Sequence, residues 1–239
     1  MYRKYIAKTV LLLTILLELC RINTVNAQMQ PIKNDVFWCT SAKRPIYSQG
    51  GGIFKFPDPV TGTKKYYWYG VQYAEADRYR KNPAVTFTAS STFESVTCYS
   101  STDLVNWTFE ANVITKEELD KDRKTWLGRL GVAYVKELKK YALVVQHGNQ
   151  VLFALSDTPT GKFIPHQEIS MQHIIGTPNT GDQTVFTDED TGKSYLIYSY
   201  GRGRNKIYVS EIGVKNGKVD LLDSKEVFHG EGREGNCMF

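Results

Sequence analysis

Residue types able to do chemistry are concentrated in a few glycine-flanked stretches. The last of them, Glu231-Gly-Arg-Glu234-Gly-Asn-Cys-Met-Phe239, sets a carboxylate between small residues, just ahead of an apolar run that reads as the start of a strand. Asp182 stands in a similar setting upstream, in Gly181-Asp-Gln-Thr-Val-Phe186. Two carboxylates can divide acid and base work when their surroundings hold them in different protonation states. Taken alone, Glu234 reads as a solvated turn residue beside Glu231, and Asp182 as a turn aspartate capping residues 177–181. The run Gln49-Gly-Gly-Gly-Ile53 lets the backbone pass close to another segment or a ligand. It is not a phosphate loop, because no helical pattern and no Lys-Ser/Thr pair follow it. His147, His166, His173 and His229 are isolated, so no zinc spacing is present, and neither a metal nor a cofactor is expected.

The elements that must position these groups are β-strands. Helix-forming composition is confined to residues 116–126, too short and charged for more than a surface turn or helix within a loop. Elsewhere, short β-branched and aromatic runs are punctuated by glycine and proline turns. Three of the runs share a design in which a polar turn feeds an aromatic-led strand. They begin at Lys64-Lys-Tyr-Tyr-Trp-Tyr69, Lys139-Lys-Tyr-Ala-Leu-Val144 and Gly192-Lys-Ser-Tyr-Leu-Ile-Tyr198. Each is followed by a strand ending in serine, near Ser100, Ser156 and Ser210, and the first two copies restart on Trp107 and Phe163. Strand pairs that recur without intervening helices predict sheets arranged around an axis, an all-β propeller rather than a β-sandwich. Residues 72–93, polar and carrying Pro83, read as one long loop.

Size and charge narrow the class. The 239 residues carry a net charge of +5. Residues 1–27 contribute Arg3, Lys4, Lys8 and Arg21 against Glu18, which leaves 26 basic and 24 acidic residues, or +2. A near-neutral domain gives no electrostatic reason to expect a nucleic-acid partner. A basic start, the apolar run 10–17 and small residues at Ala27 read as a secretory signal cleaved before Gln28. That run is far shorter than the roughly 20 residues needed to span a bilayer, so no membrane span is expected. A lipoprotein reading through Cys20 fits less well, since Glu18 and Leu19 stand where small residues are needed. The expected mature domain, 28–239, is secreted or periplasmic and monomeric. Cys39, Cys98 and Cys237 are an odd, widely spaced set and read as free thiols.

Five elements in order carry a resemblance: Gln49-Gly-Gly-Gly-Ile53, Tyr66-Tyr-Trp-Tyr-Gly70, Ser100-Ser-Thr-Asp-Leu-Val-Asn-Trp107, Gly181-Asp-Gln-Thr-Val-Phe186 and Glu234-Gly-Asn-Cys-Met-Phe239. Together they resemble the catalytic domain of glycoside hydrolase family 43, particularly its exo-β-1,3-galactanase branch. The resemblance implies a five-bladed β-propeller, here incomplete, with three to four blades present and the C-terminal part cut. It also implies an exported enzyme hydrolysing galactan, arabinan or xylan side chains with inversion. In that chemistry an acid protonates the leaving oxygen while a base activates water on the opposite face of the sugar. Glu234 matches the family's acid, with Glu231 as a rival three residues away, and Asp182 matches the carboxylate that keeps the acid protonated.

The chain also departs from the pattern. Gln49 stands near the position where many family members carry the aspartate that serves as base, an aspartate the galactanase branch also lacks. Gly128 stands where the galactanase branch has a glutamate beside the arginine retained here as Arg129. These departures keep open a non-catalytic carbohydrate-binding propeller or an inactive fragment. Pyranose C–H faces pack on aromatic rings, which makes Trp126, in a charged stretch beside Arg129, the best sugar platform. Gln49, Tyr69, Arg129 and His147 complete the expected substrate-binding set, whereas Trp68, Trp107 and Tyr195 lie in the repeating strands and are expected in the core. The composition 187–192 suggests calcium but reads as a hairpin turn, and 201–204 reads as a basic loop.

Overall fold

The computed structural model describes residues 31–84, 92–119, 126–178, 180–200, 205–230, 232 and 235. The chain divides into two units, Met1–Lys33 and Asn34–Phe239, and all described helices and strands belong to the second. The expected leader, the loop 201–204, Cys237, Glu231 and Glu234 lie outside the described residues. Among the described residues no helix is long and apolar enough to cross a membrane.

Twelve described strands form three antiparallel sheets of four, each wound in sequence order. The first holds β1 (Gln49–Pro57), β2 (Lys64–Tyr73), β3 (Phe93–Ser101) and β4 (Thr108–Thr115). The second holds β5 (Leu127–Val135), β6 (Lys140–His147), β7 (Gln150–Ser156) and β8 (Ile164–Ile169). The third holds β9 (Gln183–Thr187), β10 (Ser194–Tyr200), β11 (Lys206–Lys215) and β12 (Lys218–His229). The leading strands β1, β5 and β9 pack side by side, so the sheets radiate from a common line as propeller blades. The repeats legible in the sequence are the second and third strands of each blade, β2–β3, β6–β7 and β10–β11.

Strand periodicity decides how the blades stack. Along β6, Tyr141, Leu143 and Val145 face blade one, where they join Tyr67, Tyr69 and Val71 in one core. Their neighbours Ala142 and Val144 face blade three and join Leu196 and Tyr198 in a second core. Blade two is therefore buried on both faces, which is why its strands read as near-continuous apolar runs. By contrast β12, at the outer edge of blade three, ends in a run of exposed residues. Phe54 of β1 packs against both cores and ties the three blades together at the axis. Trp107 is buried as expected, whereas Trp68 and Tyr195 are only half-buried.

The loop reading of residues 72–93 is corrected in part. β2 continues to Tyr73, and Ala76–Lys81 forms a short helix, α1. Asp77 and Lys81, one turn apart, are paired at 2.5 Å, and Pro83 bars the helix from continuing. Residues 116–119 form α2 (Lys116–Leu119), in agreement with a short helix within a loop, and Gln172–Ile175 form α3. Of the described cysteines, Cys39 and Cys98 are free, and burial pushes the Cys98 thiol well above its ordinary value.

Two hairpins share a design that no strand pattern reveals. Asp58 and Asp188 each directly follow the first strand of a blade, and each accepts N–H bonds from the residues two and three positions ahead. The fourth residue ahead, Gly62 or Gly192, returns its N–H to the aspartate carbonyl with φ of +72° or +69°. Residues 187–192 are thus a hairpin turn, as the sequence suggested. At the axis, the glycine run makes a bulge between Gln49 and Gly52. A Cβ on Gly51 would lie 1.7 Å from the Tyr69 carbonyl oxygen, so only glycine fits.

Gly51→Ala is expected to destabilise the domain by about 1–3 kcal/mol or more, as an overpacked site whose neighbour is backbone. Gly217→Ala, at a turn with open space around it, is expected to cost less in the same denaturant titration. Asp58 supplies a pH-dependent term. Lys65 at 2.6 Å, then the Thr61 and Val60 N–H groups, hold its carboxyl well below the ordinary carboxylate range. A depressed value in the folded state adds stability above the unfolded value of about 3.9 and loses it as pH falls further. Asp58→Asn is expected to lower the Tm at neutral pH and to flatten the fall in Tm below about pH 4, measured by thermal melts across pH.

Candidate active site

The ends of the innermost strands frame a cleft of about 350 Å³ lined by Gln49, Gly50, Tyr73, Trp126, Gly128, Arg129, Gln146, Gly148, Thr180, Gly181 and Asp182. Each blade contributes, because β1 begins at Gln49, β5 at Leu127 and β9 at Gln183. Gln49, Trp126, Arg129 and Asp182, four of the residues singled out in the sequence, are brought together here.

Asp182 is largely buried yet reachable from the cleft, its side chain 14% exposed. Its Oδ2 accepts the Gly235 N–H at 2.9 Å and lies 3.5 Å from the Arg129 Nη2. Its backbone is pinned as well, since its carbonyl accepts the Ser199 N–H at 2.9 Å. Gly235 directly follows Glu234 in the chain. The bond sets Gly235 itself against Asp182, 53 positions earlier in sequence.

Arg129 and Asp182 sit on different blades, and one buried amide holds those blades in register. The Gln146 Oε1 accepts the Arg129 N–H at 2.8 Å, while its Nε2 donates to the Thr180 carbonyl at 3.2 Å and to the Gly181 carbonyl. Gln183 repeats the device. Its Nε2 donates to the Arg129 carbonyl at 3.1 Å, and its Oε1 accepts from the Thr180 hydroxyl at 2.8 Å. Neither glutamine was singled out from sequence. The available signal was an amide interrupting an apolar strand, Val144-Val-Gln146, where burial demands that each polar atom find a partner.

Trp126 is 42% exposed at the mouth of the cleft, with its carbonyl accepting the Gly148 N–H at 3.2 Å. A Cβ on Gly128 would come within 2.4 Å of both the indole ring and the Gln146 Oε1. Glycine at 128 thus leaves the space that the Trp126 ring occupies, and a glutamate there would have to displace it. Tyr73, hidden within the stretch read as a loop, forms the wall toward blade one. Burial, reinforced by Glu75, pushes its phenol up to about 12, and it donates to the Leu127 carbonyl.

Two expected cleft residues are elsewhere. Tyr69 is fully buried and donates to the Pro159 carbonyl at 2.6 Å. It shares a strand face with Tyr67 and Val71, so period-two alternation turns it into the core between blades one and two. His147 follows Gln146 on β6 and points to the opposite side, where its Nδ1 meets Glu168 Oε1 at 2.5 Å. The same alternation that brings Gln146 to the cleft removes His147 from it.

The family model for Glycosyl hydrolases family 43 matches residues 64–238. A search of curated proteins found no match. Among solved structures, an exo-β-1,3-galactanase from Clostridium thermocellum is 25% identical with a TM-score of 0.64, over 85% of this chain and 42% of its own. A GH43 β-1,3-galactosidase is 20% identical with a TM-score of 0.63, over 87% of this chain and 41% of its own. An exo-β-1,3-galactanase from Phanerochaete chrysosporium, crystallised with β-1,3-galactotriose, is 19% identical with a TM-score of 0.56, over 80% of this chain and 41% of its own. The chain thus spans about two fifths of the length of these relatives. With three four-stranded blades in sequence order and a family match running through most of them, the chain belongs to glycoside hydrolase family 43.

Proposed function

We propose that the protein is an exported glycoside hydrolase that cleaves plant-type polysaccharide side chains with inversion, with β-1,3-galactan the first substrate to test and arabinan and xylan next. The observation that carries this reading is the Gly235 N–H bond to Asp182, at the foot of a cleft walled by Trp126 and Arg129. Gly235 is the residue after Glu234, and Asp182 is the one carboxylate that lines the cleft among the described residues.

In this mechanism Glu234 is the general acid. A catalytic acid must keep its proton near neutral pH, and a neighbouring negative charge favours that state. Asp182 supplies the charge, while Arg129 and the Gly235 amide orient its carboxylate. The acid protonates the glycosidic oxygen as the bond to the anomeric carbon breaks, and a water that gives up its proton to a general base attacks from the opposite face. Inverting pairs stand about 6.5–9.5 Å apart to admit that water. Trp126 stacks on the sugar, with the Gln49 amide and the Arg129 guanidinium directed to hydroxyls. The galactan preference rests on the names of the structural relatives.

A second reading is a sugar-binding propeller without turnover. It is favoured by Gln49 and Gly128, which put no carboxylate where relatives of the resemblance carry one.

Kinetics on β-1,3-galactan, arabinan, xylan and aryl glycosides separates the two. Glu234→Gln and Asp182→Asn are each expected to lower kcat about 10²–10⁴-fold on polysaccharide, the range of a general acid. Glu234→Gln should spare aryl glycosides whose leaving group needs no proton. Trp126→Ala is expected to raise KM about tenfold, or about 1.4 kcal/mol, with kcat little changed. Wild-type turnover unchanged by Glu234→Gln overturns the acid assignment, and saccharide binding without turnover selects the binding module. Export predicts a secreted form beginning at Gln28, read by mass spectrometry; a retained chain beginning at Met1 contradicts it.

A further inference from the structure

A second cavity is larger than the one that holds Asp182. It adjoins that cleft over blade one, has a volume of about 570 Å³, and is enclosed between segment 36–49, β2 and α1. Both volumes fall in the range of small-molecule sites, about 300–1,000 Å³. Gln49 and Tyr73 line both cavities, so the two share a wall and a common edge. Tyr73 is held in that wall by its bond to the Leu127 carbonyl.

The walls are aromatic. Trp38 and Trp68 meet edge to face at 5.6 Å, and Phe37 and Tyr79 do so at 6.0 Å. Phe37 and Tyr79 are also among the more exposed large apolar residues of the chain. The aromatic lining is interrupted by Glu75 and Arg80. Arg80 sits 5.2 Å from the centre of the Phe37 ring and donates to the Trp38 carbonyl at 3.3 Å. Both Glu75 carboxylate oxygens share the Thr92 N–H, at 3.2 and 3.1 Å. Flat ring faces beside a planar guanidinium, a carboxylate and the Gln49 amide match a pyranose, whose C–H face is apolar and whose rim carries adjacent hydroxyls. Arg80 Nη2 also meets Cys39 Sγ at 3.1 Å, so protein contacts hold the guanidinium and carboxylate in place at the cavity rim.

We propose that this cavity is a second saccharide subsite, taking further pyranose units of the same chain whose end occupies the Asp182 cleft. The proposal rests on the glycosidase reading above, because continuity with that cleft identifies the occupant. The shared edge at Gln49 and Tyr73 passes the chain from one cavity to the other. Phe37 and Tyr79 provide the stacking faces, with Glu75 and Arg80 at the hydroxyl rim.

Calorimetry with β-1,3-galacto-oligosaccharides, from a disaccharide to a hexasaccharide, tests it on the whole protein. Wild-type affinity is expected to rise with length. Phe37→Ala and Tyr79→Ala, both on exposed positions, should each cost about tenfold, or about 1.4 kcal/mol, on the hexasaccharide and leave the disaccharide within about twofold. Tyr79→Phe should restore length dependence, which a merely destabilised Tyr79→Ala protein could not explain, and thermal melts verify that each variant is folded. Disaccharide binding with no gain on lengthening overturns the subsite and leaves the glycosidase reading intact. A length-dependent gain that survives both alanine variants places the extra units elsewhere and also overturns it. Binding of no galacto-oligosaccharide overturns the subsite and the galactan preference, while turnover of arabinan or xylan decides the glycosidase reading separately. Sedimentation in the same buffer detects the rival occupant: a wild-type dimer that Phe37→Ala and Tyr79→Ala dissolve makes this face an interface between copies instead.

Discussion

Blade two is covered by apolar side chains on both faces, and this two-sided burial governs the rest of the domain. A one-residue slip of β6 would exchange Tyr141, Leu143 and Val145 with Ala142 and Val144 and mismatch both cores at once. Each of these side chains contributes roughly 1.5–3 kcal/mol when fully buried, apart from the smaller alanine, so the register is strongly specified. Fixing β6 in this way fixes Gln146 at its end, pointing toward blade three, and His147 pointing away.

From that anchor the cleft is assembled by backbone contacts more than by side-chain pairs. The Gln146 amide joins the start of β5 to the 180–181 turn, and Gln183 returns the contact to the Arg129 carbonyl. Arg129 and Asp182 are 3.5 Å apart, a loose approach for a salt bridge, and Arg129 is 44% exposed. An ion pair this open contributes little to stability. Its place is set by the buried amides beneath it. The same economy appears at Gly128, where an absent side chain makes room for the Trp126 ring.

Much of the architecture was legible because it is written in local patterns. The three strand pairs beginning near Lys64, Lys139 and Gly192 are the middle strands of the three blades, and the glycine run at 50–52 does mark a close backbone approach at the axis. The turn at 187–192 is legible as a hairpin, whereas its twin at Asp58 carries no such acidic cluster to mark it. Their kinship lies in where an aspartate, a threonine and a glycine fall relative to one another, a pattern too sparse to stand out. The stretch 72–93 misled because polar composition describes the exposed face of α1 as readily as a loop.

The sequence by itself determined that this chain is a repeating all-β protein with the ordered motifs of glycoside hydrolase family 43. Alternating strands, turn chemistry and glycine positions are local properties of neighbouring residues. Only the tertiary structure decided which face of each strand meets which blade. That choice buries Tyr69 against Pro159, turns His147 to Glu168, and draws Gln146 and Tyr73 into the cleft. A strand residue alternates between two sides whatever its type, and what lies on each side is set by segments tens of residues away. The joining of the Asp182 cleft to the aromatic cavity over blade one has the same origin, since segment 36–49, β2 and α1 meet only when blade one is folded.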